Sequence, residues 1–201
     1  MNGAQVAIVD SGGANIASLT FALQRIGATA ELTRDPATIA AASHVILPGV
    51  GAAADAMQKL ISTGLAQVIR ELRQPVLGIC LGMQLMARAS EEQATPCLDV
   101  IPAVAEKLPA TTEAPVPNMG WCRVNQLDDH ELFAGIDDDS YFYFLHSFAI
   151  APGEFTLATA THLTPFTAVL AHGNFYAAQF HPERSAAAGS QFLQNFLRMS
   201  P

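Results

Sequence analysis

The sequence predicts an α/β fold, a three-layer sandwich whose mainly parallel central sheet is extended by antiparallel strands. Short apolar runs alternate with helically spaced apolar residues over the first part of the chain, and the second half is rich in strands. The 201 residues, half of them apolar and 14% charged, are enough for a full core and too apolar for disorder. No linker interrupts the pattern, so residues 1–201 read as a single domain.

Residues 5–10 (QVAIVD) form a short apolar strand ending in Asp10, followed by a tight turn at Ser11-Gly12-Gly13-Ala14. Ile16, Leu19, Phe21, Leu23 and Ile26 mark a helix over 15–26 that Gly27 stops. Residues 28–33 are a second strand, and His44–Leu47 a third, closed by Pro48-Gly49-Val50-Gly51. A long helical stretch runs over 52–72 with a break at Gly64; Pro75–Ile79 is a fourth strand and 82–89 a helix. Prolines 96, 102, 109, 115 and 117 make 91–120 loop-like, with one or two strands within 99–126. Strands then follow at 141–150, 155–160, 167–170 and 175–180, and a helix over 185–199 closes the chain on Phe192, Leu193, Phe196 and Leu197. Apolar strands joined by helices need both faces of the sheet covered, and ligands then bind outside the strands' carboxyl ends, where Asp10, Pro48–Gly51 and Cys80 fall.

A net charge of −8 with ten scattered Lys and Arg argues against nucleic acid or an anionic membrane surface as partner. No run approaches the roughly 20 apolar residues of a membrane span, and the start lacks a secretory pattern. Three cysteines (Cys80, Cys97, Cys122) without a C-x-x-C pair point to a reducing, cytoplasmic setting and to neither a disulfide framework nor a metal site. No cofactor is expected.

The strongest chemical signal is Gly78-Ile79-Cys80-Leu81-Gly82, between an apolar strand and a helix. It is a G-x-nucleophile-x-G elbow with Cys as the nucleophile; the glycines permit the sharp turn, and the helix N-terminus favours thiolate. A buried structural Cys between two packing glycines is the alternative reading. A nucleophilic Cys needs a base. His181, in Gln179-Phe180-His181-Pro182-Glu183, ends an apolar run, and in an extended segment His181 and Glu183 share a face, so the carboxylate can orient the imidazole. A surface turn with an ion pair would leave the same tripeptide. Pro48-Gly49-Val50-Gly51 offers unobstructed backbone N–H groups for an oxyanion. The run from Gly49 to Ala54 also fits G-x-G-x-x-A, but it follows the third strand, and no strand-terminal acidic residue lies about 20 positions on.

Taken together, these segments resemble the class I, triad-type glutamine amidotransferases. Leu47–Gly51, Gly78–Leu85, Asn118-Met119-Gly120-Trp121, Tyr141–Ser147 and Gln179–Ser185 are similar to the motifs of one family among them, the glutaminase subunits of imidazole glycerol phosphate synthase, and the likeness runs over residues 4 to 199. The resemblance implies that Cys80 attacks the side-chain amide of L-glutamine, that His181 carries the proton to departing ammonia and that Glu183 orients His181. It further implies an oxyanion hole from the N–H groups of Gly51, after a flip of its loop, and Leu81. Substrate contacts fall to Gln84, Gly49 and Ser147, with Phe148 beside them. The ammonia would pass to a (β/α)8-barrel cyclase subunit, with Asn15, Trp121, Tyr143 and Arg184 at the shared interface, and glutaminase would stay weak until that partner binds its nucleotide ligand. Core packing is the other reading of Trp121 and Tyr143.

Two positions depart from the family pattern. Asn118 stands where His is usual and Cys122 where Asn is usual, both flanking Trp121 and neither in the triad. The remaining histidines (His44, His130, His162, His172) read as surface or packing residues. Two rival functions remain: a class I glutaminase domain serving another acceptor, and a catalytically silent regulatory partner.

Overall fold

The computed structural model describes residues 4–12, 16–127 and 129–200. Among these, the first half alternates as expected. It comprises β1 (Gln5–Val9), α1 (Ile16–Arg25), β2 (Thr29–Thr33), α2 (Pro36–Ala41), β3 (His44–Leu47), α3 (Ala53–Ser62), α4 (Leu65–Glu71), β4 (Val76–Ile79) and α5 (Leu81–Met86). The second half carries β5 (Ala87–Ser90), β6 (Thr95–Pro96), β7 (Ile101–Lys107), β8 (Asn118–Arg123), β9 (Asn125–Gln126), β10 (Tyr141–His146), β11 (Phe148–Ile150), β12 (Thr156–His162), β13 (Thr164–His172), β14 (Phe175–Ala178) and α6 (Ala186–Phe196).

The central sheet runs in the order β2-β1-β3-β4-β14-β13-β12-β9. Its first five strands pair in parallel; β13, β12 and β9 extend it antiparallel. The period of two along β1 builds both cores. Val6 and Ile8 face one side, with Leu19 and Leu23 of α1, Phe142 and Phe144 of β10, and Phe192 and Phe196 of α6. Ala7 and Val9 face the other, with Ile39 of α2, Met57 and Leu60 of α3, Ile69 of α4 and Met83 of α5. A four-stranded sheet, β11-β7-β5-β6, packs on this second side, and β8 and β10 pair as a separate ribbon.

The long helical stretch does break at Gly64, whose φ of 71° ends α3 and admits α4. Three expectations are corrected. The helix predicted over 82–89 stops at Met86, and residues 87–90 become β5, because α5 runs into an edge that pairs with β7. Phe21 is exposed: the buried stripe of α1 is Leu19, Ala22 and Leu23, and Phe21 lies off it. The region 91–120 also holds more strand than its prolines suggest. Pro96 sits on the edge strand β6, and Pro102 falls where the register between β5 and β7 slips, positions at which a missing N–H breaks no ladder bond. The turn residues Gly13 and Ala14 lie outside the described residues.

The elbow after β4 is closely packed. A Cβ on Gly82 would stand 1.8 Å from the Leu47 carbonyl oxygen, and one on Gly78 would meet the Gly82 backbone at 2.9 Å. Gly82→Ala is therefore expected to lower stability in chemical denaturation by about 3 kcal/mol or more. Gly153→Ala, with open space around its Cβ, should stay within about 0.5 kcal/mol of the parent.

Candidate active site

Strands β4 and β14 are parallel neighbours in the middle of the sheet with Ile79 beside Ala178, so the chains leaving them emerge together at the strands' carboxyl ends. The Cys80 N–H donates to the Ala178 carbonyl at 2.8 Å, which carries the pairing one residue beyond β4. Cys80 then turns with φ 54° and ψ −108°, a strained backbone held by the glycine contacts on either side. It is buried, and its sulfur lies 3.5 Å from the Leu145 carbonyl of β10.

His181 arrives from β14 against Cys80. The chain does not continue extended through Pro182, as the sequence suggested; Pro182–Arg184 forms one 3-10 turn. The turn achieves the same end, for His181 Nδ1–H donates to Glu183 Oε1 at 2.9 Å with both side chains buried. This fixes the tautomer and leaves the other ring nitrogen for the sulfur. Burial opposes a charge on His181. Hydrogen bonds to Cys80 and Glu183, and the charges on both, outweigh burial and raise its pKa from 6.5 to about 10. The imidazolium is thus the favoured form at neutral pH, ready to donate to a leaving group.

A cleft of about 490 Å³ opens over Cys80, bordered by Gln84, Glu92, Leu145, Ser147, Phe148 and Arg184 among others. Gln84 Nε2 donates to Ser90 Oγ at 2.7 Å and to Glu92 Oε2 at 2.8 Å, which holds its amide in place. Glu92 Oε2 also accepts from Ala53 N–H at 2.9 Å, the first residue of α3. Glu92 thus joins the third and fourth βα connections, at α3 and α5, and puts a carboxylate at the cleft. Sequence reasoning missed it, since no local pattern distinguishes it from Glu91.

Val50, Gly51 and Leu81 border the same cleft. Gly51 has φ 99°, and Leu81 opens α5, so the helix itself leaves the Leu81 N–H unused. Gly49 is placed differently. A Cβ there would stand 2.8 Å from Leu81 Cβ, and Gly49 borders a recess of about 20 Å³ behind the His181–Glu183 pair instead of the Cys80 cleft. Asp10 is taken up in local structure, paired with Arg34 at 2.8 Å and accepting from Gly12 N–H at 3.0 Å.

The two departures from the family pattern meet beneath the cleft wall. His146 Nδ1–H donates to the Phe148 carbonyl at 2.9 Å, so Nε2 accepts from Asn118 Nδ2–H at 3.1 Å. Cys122 Sγ lies 3.8 Å from the same Asn118 nitrogen. Burial, with His162 and His181 nearby, pushes the His146 pKa down to about 4, although the Phe148 bond resists. A neutral His146 therefore pins the bend at Ser147 between β10 and β11.

On the ribbon's outer face, Trp121 is 51% and Met119 68% exposed, which removes the core-packing reading of Trp121. The Arg184 guanidinium stacks 4.1 Å over the Tyr143 ring, and Trp121 meets that ring edge-on at 6.0 Å. Asn15 lies outside the described residues. His44 and His172 make packing and backbone contacts, as expected.

The chain belongs to the class-I glutamine amidotransferase family, whose sequence profile matches residues 7–199. Within it, the chain is 50% identical over 192 residues to the imidazole glycerol phosphate synthase subunit HisH of Pasteurella multocida, covering 96% of each chain. It is 42% identical over 199 residues to the HisH of Vibrio cholerae, covering 96% of this chain and 98% of that one. Among solved structures, the fold matches that of a glutamine amidotransferase from Thermotoga maritima with TM-score 0.64 at 18% identity, over 98% of this chain and 83% of that one.

The opposite pKa directions give a direct check. Because the folded value for His181 lies above 6.5, its pairing stabilises the fold fully below about 6.5 and loses effect as pH rises through about 10. For His146 the depressed value means stability is lost as pH falls from 6.5 toward about 4. NMR titration of ring-labelled histidine should find His181 protonated and His146 neutral at neutral pH, and Glu183→Gln should lower the His181 value. A neutral His181 at neutral pH would contradict the pairing.

Proposed function

We infer that this chain is the glutaminase subunit of an imidazole glycerol phosphate synthase, acting in histidine biosynthesis. It hydrolyses L-glutamine to L-glutamate and ammonia, and hands the ammonia to a partner cyclase subunit that makes imidazole glycerol phosphate. The observation that carries the reading is the buried convergence of Cys80, His181 and Glu183 at the carboxyl ends of two central strands, in a chain half identical to a HisH subunit.

In this reading Cys80 sulfur attacks the amide carbon of glutamine, and its proton resides on His181. The tetrahedral oxyanion is held by the N–H groups of Leu81 and, after its loop turns inward, Gly51. His181 protonates the nitrogen as ammonia leaves, and a thioester to Cys80 remains. Water, deprotonated by His181, then attacks the thioester and releases glutamate. Gln84 and Ser147 offer hydrogen bonds to the substrate, and the Glu92 carboxylate suits its ammonium group. Glu183 keeps the imidazole oriented throughout. Gly49 serves through its close fit against Leu81.

The exposed Met119, Trp121 and Arg184, with the half-buried Tyr143, supply an anchor-rich face of the kind stable interfaces use, and it adjoins the cleft. Residues 1–201 act as one domain in the cytoplasm, with three free cysteines fitting a reducing compartment. Among the described residues, no helix is long and apolar enough to cross a membrane.

Glutamate release from glutamine is expected to be weak for the isolated chain and to rise strongly with the cyclase subunit in its nucleotide-bound form. Cys80→Ala should cut glutaminase by about 1,000-fold or more, while the complex still synthesises product from added ammonia. Normal glutamate release by Cys80→Ala would refute the nucleophile assignment.

A further inference from the structure

Ser185 occupies the N-cap position of α6, where a serine hydroxyl ordinarily accepts from the helix's first free N–H groups. Here it makes no such bond, and the helix start is irregular, with Ala186 at φ 50°. The hydroxyl is directed elsewhere. Ser185 Oγ donates to the His181 carbonyl at 2.7 Å and accepts from the Tyr143 N–H at 2.9 Å. The His181 N–H in turn donates to the Tyr143 carbonyl at 2.9 Å. His181 and Tyr143 are therefore joined through both backbone groups of each, once directly and once through the Ser185 hydroxyl.

The group is sealed in: Ser185 is 1% exposed. Behind it, α6 packs so closely on the Pro182 turn that a Cβ on Gly189 would stand 2.0 Å from the Pro182 carbonyl oxygen. A hydroxyl that gives up a helix cap to bridge two buried backbone groups is a local rule broken at a site where position matters. Tyr143 is also the residue whose ring stacks under Arg184 and meets Trp121 on the outer face. One residue of β10 thus touches the exposed face with its ring and holds the base with its backbone.

We propose that Ser185 is a positioning residue for glutamine hydrolysis, its hydroxyl fixing the His181 backbone to Tyr143 and so linking the outer Trp121–Tyr143–Arg184 face to the base. The proposal rests on the glutaminase reading. It adds a residue that never touches substrate and acts through His181. Loss of the hydroxyl leaves the His181 carbonyl and the Tyr143 N–H without their shared partner, and the imidazole can drift from the sulfur.

The test is glutamine hydrolysis by the complex with the ligand-bound cyclase, comparing the parent with Ser185→Ala and, as a control in the same helix, Ser190→Ala, whose exposed hydroxyl bonds only the Ala186 carbonyl. Ser185→Ala should lower kcat by about 10- to 100-fold with KM within about twofold, and should move the His181 limb of the pH–rate profile; Ser190→Ala should match the parent. Should Ser185→Ala prove insoluble, Ser185→Cys, which keeps a weaker donor and acceptor, is expected to lose at least about threefold in kcat, and parental kcat for it would overturn the proposal. Parental kcat for Ser185→Ala, or a lowered melting temperature with an unmoved pH profile, overturns the proposal alone. A parent complex that releases no glutamate overturns the glutaminase reading and this proposal with it.

Discussion

The parallel pairing of β4 with β14 is the constraint on which the rest depends. Cys80 and His181 belong to distant parts of the chain, and only this neighbour relation delivers both to the same carboxyl end of the sheet. Each strand then needs a local device to present its residue. For Cys80 it is a turn that only glycine can flank, since the Leu47 carbonyl lies where a Gly82 side chain would be. For His181 it is a 3-10 turn that folds Glu183 back onto the ring. The strain at Cys80 is borne by the two cores packed on either face of the sheet.

The β8–β10 ribbon stands between the exposed aromatic face and the chemistry. Its alternation sends Phe142 and Phe144 into the core and leaves Tyr143 and Leu145 on the outer side, while the β10 backbone meets the site directly. The Leu145 carbonyl lies 3.5 Å from the Cys80 sulfur, and the Tyr143 carbonyl receives the His181 N–H. At the end of the strand, Asn118 and the neutral His146 fix the bend that brings Ser147 to the cleft. Asn118 is thus engaged by His146 and Cys122, and a polar pair buried this deeply is stable only because both partners are satisfied. A partner seated on Trp121 and Tyr143 would press on a strand that touches Cys80, His181 and the cleft wall alike.

Much of this was legible in the residues. The elbow and the His-Pro-Glu end, which the structure brings together, stand out as short motifs, and the parallel half shows itself through apolar runs such as Val45–Leu47 that helices must cover. Glycine at 64 announced its break for a reason that holds in isolation, a left-handed backbone. What escaped was decided by partners far off in sequence. Residues 87–90 continue a helical pattern and become strand only because β7 lies alongside. Glu92 has no signature, and its place at the cleft comes from bonds to Gln84 and to the start of α3. Ser185 reads as a helix cap, and only the folded chain reveals that its hydroxyl is turned to the base.

The central claim is that one particular sulfur is activated by one particular imidazole. Labelling the complex with a glutamine analogue that carries an electrophilic ketone in place of the amide, followed by peptide mass spectrometry, tests it most directly. The expected result is a single adduct on Cys80, lost when His181 is replaced by alanine. An adduct on Cys97 or Cys122, or labelling of Cys80 that proceeds at the parental rate without His181, would contradict it.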